Sequence, residues 1–147
     1  MKPTSHALVS GGVSAGFYFL TQSWPATLVC FLSGIFIDLD HHLDYILARK
    51  RIPWRYKDLW EFCSNKGQGK VYLIFHSYEL LALLWFSLFY FQLGVGWWGL
   101  AIGVTIHIVF DELVNPLKPL GYFFFYRLQH GFDRKKLATE KFWRESR

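Results

Sequence analysis

Long apolar blocks alternate along this chain with polar ones, and four blocks predict membrane-spanning helices: roughly 7–21, 25–37, 71–92 and 93–110. Crossing a hydrocarbon core takes about 20 helical residues, in a range near 17–25. The last two blocks meet that length; the first two need flanking residues or a thinned bilayer. No small-residue cleavage site follows the first block, so it is expected to stay as an uncleaved span. Gly11, Gly12, Ala15 and Gly16 within it suit close packing of helices in lipid. Between spans two and three, Ile52, Tyr56, Leu59, Trp60 and Cys63 recur at helical spacing around Pro53, which predicts an amphipathic helix lying on the membrane surface. The aromatic run 122–126, ending at Arg127 and followed by a basic tail, reads as interfacial too. The expected fold class is therefore all-α integral membrane. One domain of residues 1–147 would carry four transmembrane helices, a cytoplasmic loop 38–70 and a basic aromatic tail 116–147.

Composition agrees with the pattern. Of 147 residues, 52% are hydrophobic, 20% aromatic and 18% charged, where a soluble domain carries about 25% charged residues. That balance disfavours a secreted disulfide scaffold, a disordered chain and a nucleic-acid-binding domain. The net charge of +5 gains its meaning from position. Of the sixteen Lys and Arg residues, Lys2 precedes span one, seven lie between spans two and three, and eight follow span four. All then fall on one side of the membrane, which the positive-inside rule makes the cytoplasm. The expected localisation is the cell inner (plasma) membrane, multi-pass, with both termini in the cytoplasm. Trp24, Trp97 and Trp98 mark the opposite interface. Cys30, in an apolar run, and Cys63, in a basic segment, are expected to remain free thiols. The turn at 66–70 lacks the spacing and the Ser or Thr of a P-loop.

Ionisable groups in membrane helices are costly and tend to serve function, and here they form a pattern. His6 begins span one; Asp38, Asp40, His41, His42 and Asp44 end span two; His76 and Glu79 begin span three; His107, Asp111 and Glu112 end span four. Each location is the cytoplasmic end of its helix. His76 and Glu79 are spaced i,i+3 and His107 and Asp111 i,i+4, so each pair is expected to share a helical face. Carboxylates at helix C-termini oppose the macrodipole unless a cation compensates them. Mixed imidazole and carboxylate donors suit zinc, with manganese or iron as alternatives, held as one or two ions. Whether Asp44, His42 and Glu112 are ligands or solvated groups stays open.

In this order the residues resemble the YdjM-like family of membrane-bound metal-dependent hydrolases, and more distantly the zinc-dependent phospholipase C pattern. The motifs are the early His6, Gly34 followed by the acidic box Asp38-Leu39-Asp40-His41, His76-Ser77, and His107-x-x-x-Asp111, over about residues 5–116. The acidic box departs from the family by having Ile37 where Pro is usual. Val71 stands where a further His often occurs, a ligand that His42 or Glu79 would replace. The resemblance implies a metal-dependent hydrolase fold and names no substrate.

The function expected from residues and resemblance together is a hydrolase acting on a lipid ester or phosphoester at the cytoplasmic interface. Its metal ligands would be His6, Asp38, Asp40, His41, His76, His107 and Asp111. His76 and Glu79 are the catalytic candidates, with Glu79 as general base. Arg127, Lys70 and Arg51 are candidates to hold a headgroup phosphate. A membrane lipid is the expected partner and nucleic acid is not; a homo-oligomer or a membrane-protein partner stays open. The competing expectation is a non-enzymatic metal-binding subunit that scaffolds or regulates a partner.

Overall fold

The computed structural model describes residues 3–64, 69–115 and 117–139. Among them all regular structure is helical, apart from two isolated antiparallel bridges, Lys70 with Asp133 and Leu117 with Ala138. The helices are α1 (Pro3–Thr21), α2 (Trp24–Phe36), α3 (Asp40–Arg49), α4 (Tyr56–Ser64), α5 (Tyr78–Tyr90), α6 (Val95–Val114), α7 (Phe124–Gln129) and α8 (Arg134–Leu137), with 3-10 turns at Ile37–Leu39 and Pro119–Tyr122. The chain forms two compact units: unit 1 is Met1–Ile37 with Glu79–Asn115, and unit 2 is Asp38–Tyr78 with Pro116–Arg147.

In unit 1 the helices stop where the backbone must reverse. After α1, Gln22 adopts a left-handed φ of 52° and its N–H closes on the Tyr18 carbonyl. Pro25 then sits in the first turn of α2, where its missing donor costs nothing. After α5, Gln92 takes a left-handed φ of 50°, and the Leu93 N–H closes on the Leu88 carbonyl. Helices α1, α2 and α6 pack on one another around Phe17, Ala26 and Cys30. Trp85 and Phe89 bring α5 against Trp98 of α6, and the Trp85 indole donates to Thr105 Oγ1 at 3.0 Å.

The close approach of α2 to α6 is made by glycines other than those expected. A Cβ at Gly99 would run into the Ala26 carbonyl, and one at Gly103 into the Cys30 carbonyl and the Ser33 side chain. Gly99 and Gly103 form a G-x-x-x-G stripe, the spacing that lets two backbones touch. Gly34 faces the Ser10 side chain in the same way. By contrast Gly12 and Gly16 face open space, and Gly11 meets only Phe31 at ordinary van der Waals range. Gly103→Leu should therefore force α2 from α6 and cost about 1–3 kcal/mol or more, as overpacking does, whereas Gly12→Ala should not destabilise. Thermal unfolding of the two variants in detergent checks the difference.

The surface of unit 1 is apolar and part of its interior is polar. Leu20 is 86% exposed, Phe19 76% and Leu113 75%, while His6, Ser10, Ser14, Thr27, His107 and Asp111 are buried. Among the described residues, two helical runs, Trp24–Arg49 and Val95–Val114, are long and apolar enough to cross a membrane by length and composition.

Unit 2 departs most from the sequence reading. Residues 71–77, expected as the first turns of span three, are not helical, and α5 begins only at Tyr78. Its 13 residues extend about 20 Å at 1.5 Å per residue. The reason lies in who satisfies the backbone. Asp44 accepts the N–H groups of Tyr72 and Leu73 at 2.9–3.1 Å. Asp40 Oδ2 accepts those of Phe75 and His76 at 2.7 and 3.2 Å. From the other side the Arg127 guanidinium donates to the carbonyls of Leu73, His76 and Gly121 at 2.7–3.0 Å. Carboxylates and a guanidinium supply the bonds a helix would have made, and Leu73 takes a left-handed φ of 42°.

The interfacial helix is also shifted. It begins at Tyr56, not Pro53, and its inward face is Leu59 and Phe62 packed on Tyr45, while Ile52 is exposed. The side chains of Tyr56 and Trp60 lie outside the described residues, as do most of the 66–70 turn and the tail from 140. In the aromatic run 122–126, Tyr122 is wholly buried whereas Phe123 and Phe125 are exposed. Cys30 and Cys63 are both free thiols, as expected.

Candidate metal centres

Among the described residues, metal-type donors gather in two places, one inside each unit. In unit 1, α1 contributes His6, and α6 contributes His107 and Asp111, whose i,i+4 spacing puts them one turn apart on one face. His6 Nε2 lies 3.1 Å from Asp111 Oδ1, and His107 Nε2 lies 3.6 Å from Asp111 Oδ2. The two imidazoles stack, with centroids 3.9 Å apart and planes 11° from parallel. All three side chains are buried, and their ligand atoms lie within 4.8 Å of one another.

The unit 1 cluster has an orienting contact behind it. His107 Nδ1 lies 2.7 Å from the Gly34 carbonyl oxygen, which accepts its proton. That bond fixes the tautomer and leaves Nε2 as the lone-pair nitrogen, turned towards Asp111. Gly34 thereby has two jobs. It lets Ser10 of α1 approach, and it presents the carbonyl that sets His107.

In unit 2 the donors are Asp38 from the 3-10 turn, His41 from the first turn of α3, and His76 from the 71–77 segment. Asp38 Oδ1 lies 3.6 Å from His41 Nε2 and 3.8 Å from His76 Nε2. Again the three ligand atoms fall within 4.8 Å of one another. His76 is fully buried, while Asp38 and His41 are half-buried, so this cluster is the more open of the two.

Asp40 stands behind His76. Its Oδ2 is 3.2 Å from His76 Nδ1, in a buried carboxylate–imidazole pair of the type that orients metal-binding histidines. The expected ligand thus takes the place of an orienting residue. Its other oxygen, Oδ1, is buried with no hydrogen-bond partner among the described residues. Asp44, which the sequence left open between ligand and solvated acid, is buried and committed to the 71–77 backbone. His42 is exposed and Glu112 half-buried.

Glu79 lies half-buried in the first turn of α5. His76 precedes that helix, so the two do not share a helical face as their spacing suggested. Of the three headgroup candidates, Arg127 is corrected outright. It is 0% exposed and its guanidinium is occupied by three carbonyls, so it holds the chain and is closed to a ligand. Lys70 and Arg51 are exposed; Arg51 Nε donates to Tyr45 Oη at 3.2 Å. Arg134, which sequence reasoning did not single out, is another structural cation. It donates to the carbonyls of Phe62 and Cys63, and burial lowers its pKa from the ordinary arginine value. Burial pushes the Cys63 thiol up to about 11, so it is not a thiolate nucleophile at neutral pH.

No family profile, curated protein or solved structure matches this chain.

Proposed function

We propose that this chain is a membrane-embedded, metal-dependent hydrolase that acts on a lipid ester or phosphoester at the cytoplasmic face of the inner membrane. The observation that carries the reading is the pair of three-donor clusters, His6–His107–Asp111 and Asp38–His41–His76, each within coordination reach of a single ion. The donor set suits zinc. In each cluster one histidine has its Nδ1 engaged by an acceptor, Gly34 O or Asp40, so that its Nε2 is left for a metal. A bound divalent ion supplies Lewis-acid polarisation of the scissile oxygen and acidifies water. The chain's own part is to hold the ligands rigid, to keep the unit 1 cluster away from bulk water, and to take a proton from the attacking water at Glu79.

Several observations support the membrane setting. Unit 1 turns Phe19, Leu20 and Leu113 outward while burying serines, histidines and an aspartate, the reverse of a soluble domain. With α1 and α5 added to the two longer runs, the chain would cross four times, both termini cytoplasmic, and Lys and Arg would stay on one side. Helix α5, at about 20 Å, would require a thinned bilayer. The order of His6, the acidic box, His76-Ser77 and His107-x-x-x-Asp111 adds the resemblance to YdjM-like hydrolases.

Elemental analysis of the purified full-length protein tests the reading. Two zinc-type ions per chain are expected, with Asp111→Asn and His76→Ala each losing one. Chelation should stop turnover of phospholipid in vesicles, and zinc should restore it. Protein without stoichiometric metal, or turnover indifferent to chelation, counts against the assignment. Stoichiometric metal with an unchanged membrane lipid composition in cells lacking the protein would favour a scaffold.

A further inference from the structure

Unit 2 contains a second feature, apart from both clusters: a cavity of about 200 Å³ lined by Tyr45, Arg49, Arg51, Asp58, Glu61 and Phe62. Its floor is aromatic. Tyr45 and Phe62 are buried and meet edge to face, centroids 5.3 Å apart. Its lining carries both signs of charge. The Arg49 guanidinium carbon lies 5.9 Å from the Phe62 ring centroid, and Arg51 Nε is bonded to the Tyr45 hydroxyl. Asp58 and Glu61, spaced i,i+3 on α4, supply the carboxylates.

Two side chains two apart on a helix point to different faces. Arg49 and Arg51 line one cavity because Lys50 between them ends α3 in a left-handed conformation, φ 53° and ψ 32°, and turns the chain back. Among the described residues no ion pair joins either arginine to either carboxylate. Glu61 instead pairs with Lys57, at 3.7 Å, on the solvent side. Charges of both signs therefore border one space without closing it.

We infer that this cavity binds a zwitterion bearing a phosphate and a protonated amine, of the phosphoethanolamine type. The phosphate meets Arg49 and Arg51, whose forks suit its oxygens. The ammonium meets Asp58 and Glu61 over the aromatic floor. An anion alone would face two carboxylates, and a cation alone two guanidiniums. At roughly 30 Å³ per water-sized group, the space holds about seven such groups, the scale of a small zwitterion rather than a nucleotide. The inference uses no metal ligand, and of the residues expected to hold a headgroup phosphate it takes up only Arg51.

The test is calorimetric titration of the full-length protein in detergent with phosphoethanolamine, inorganic phosphate and ethanolamine, with metal content measured on the same sample. Phosphoethanolamine is expected to bind at least about tenfold more tightly than either fragment, the scale of one charge-assisted hydrogen bond. Arg51→Gln should weaken phosphoethanolamine and phosphate alike by about tenfold. Asp58→Asn should weaken phosphoethanolamine by about tenfold and leave phosphate equal or tighter, with metal unchanged in both variants. Nanodiscs identify the source. Binding of soluble phosphoethanolamine points to a free ligand; binding only in phosphatidylethanolamine discs, and not phosphatidylglycerol discs, points to a lipid headgroup. The proposal is overturned if phosphate alone binds as tightly as phosphoethanolamine, if neither variant changes binding, or if soluble and lipid forms both fail to bind. Metal loss with phosphoethanolamine binding intact would count against the hydrolase and not against this site.

Discussion

Glu79→Gln is expected to lower lipid turnover by about 10²–10⁴-fold, the usual contribution of a positioned general base, while metal content and folding stay at wild-type values. The substitution keeps the shape and removes only the capacity to take a proton. Glu79 occupies the first turn of α5, where the positive end of the helix favours a carboxylate. It belongs to neither three-donor cluster, so its loss should leave both sets of ligands in place. Measuring zinc stoichiometry beside initial rates separates the two roles. A variant that keeps its metal and turns over lipid at the wild-type rate removes Glu79 from the mechanism. A variant that loses metal makes Glu79 a ligand instead.

The second large effect should come from Arg127→Met, in stability. The side chain is fully buried and its guanidinium bonds three main-chain carbonyls, two of them within the non-helical 71–77 segment. Methionine fills much of the space but donates nothing, so Leu73, His76 and Gly121 would each keep a desolvated carbonyl. A buried acceptor left unsatisfied costs about 1–3 kcal/mol, so three of them amount to a large fraction of the roughly 5–15 kcal/mol that holds a domain together. Arg127→Lys should recover only part of it, because one ammonium cannot reproduce the planar fork. Limited proteolysis within residues 71–77, together with thermal unfolding, reads the result. Since His76 sits in this segment, zinc bound through Asp38, His41 and His76 should fall with it, and the His6–His107–Asp111 cluster should keep its ion. Wild-type resistance to proteolysis in Arg127→Met would refute the structural role.

Both effects bear on how far the chemistry was legible beforehand. The i,i+4 pairing of His107 with Asp111 could be read directly, because a helix fixes which residues share a face over one turn, and α6 is an uninterrupted helix. Asp38 and His41 likewise lie three apart in sequence and close in space. His6 carried no local partner; only the block pattern marked it, and the packing of α1 on α6 brings it to Asp111. Asp40 and Asp44 were visible as acids, but nothing near them in sequence showed that they would accept N–H groups some thirty residues away. Arg127, at the end of an aromatic run, looked like an interfacial cation for the same reason. The glycine stripe Gly99-x-x-x-Gly103 could have been found by its spacing. Gly11, Gly12 and Gly16 offer a denser run of small residues, yet none of them meets another helix's backbone within 4 Å.

The amino-acid sequence by itself determined where helices can form and where charge cannot be spared. Apolar blocks and the segregation of sixteen basic residues are properties of short windows and of their order. Tertiary structure alone decided which polar groups gather in the donor clusters and which hold the backbone. Residues 71–77 are apolar enough for a helix, yet they are drawn out because Asp40, Asp44 and Arg127, distant in sequence, satisfy their N–H and carbonyl groups. A buried backbone group takes its partner from whatever the fold brings near, and no window of neighbouring residues contains that partner.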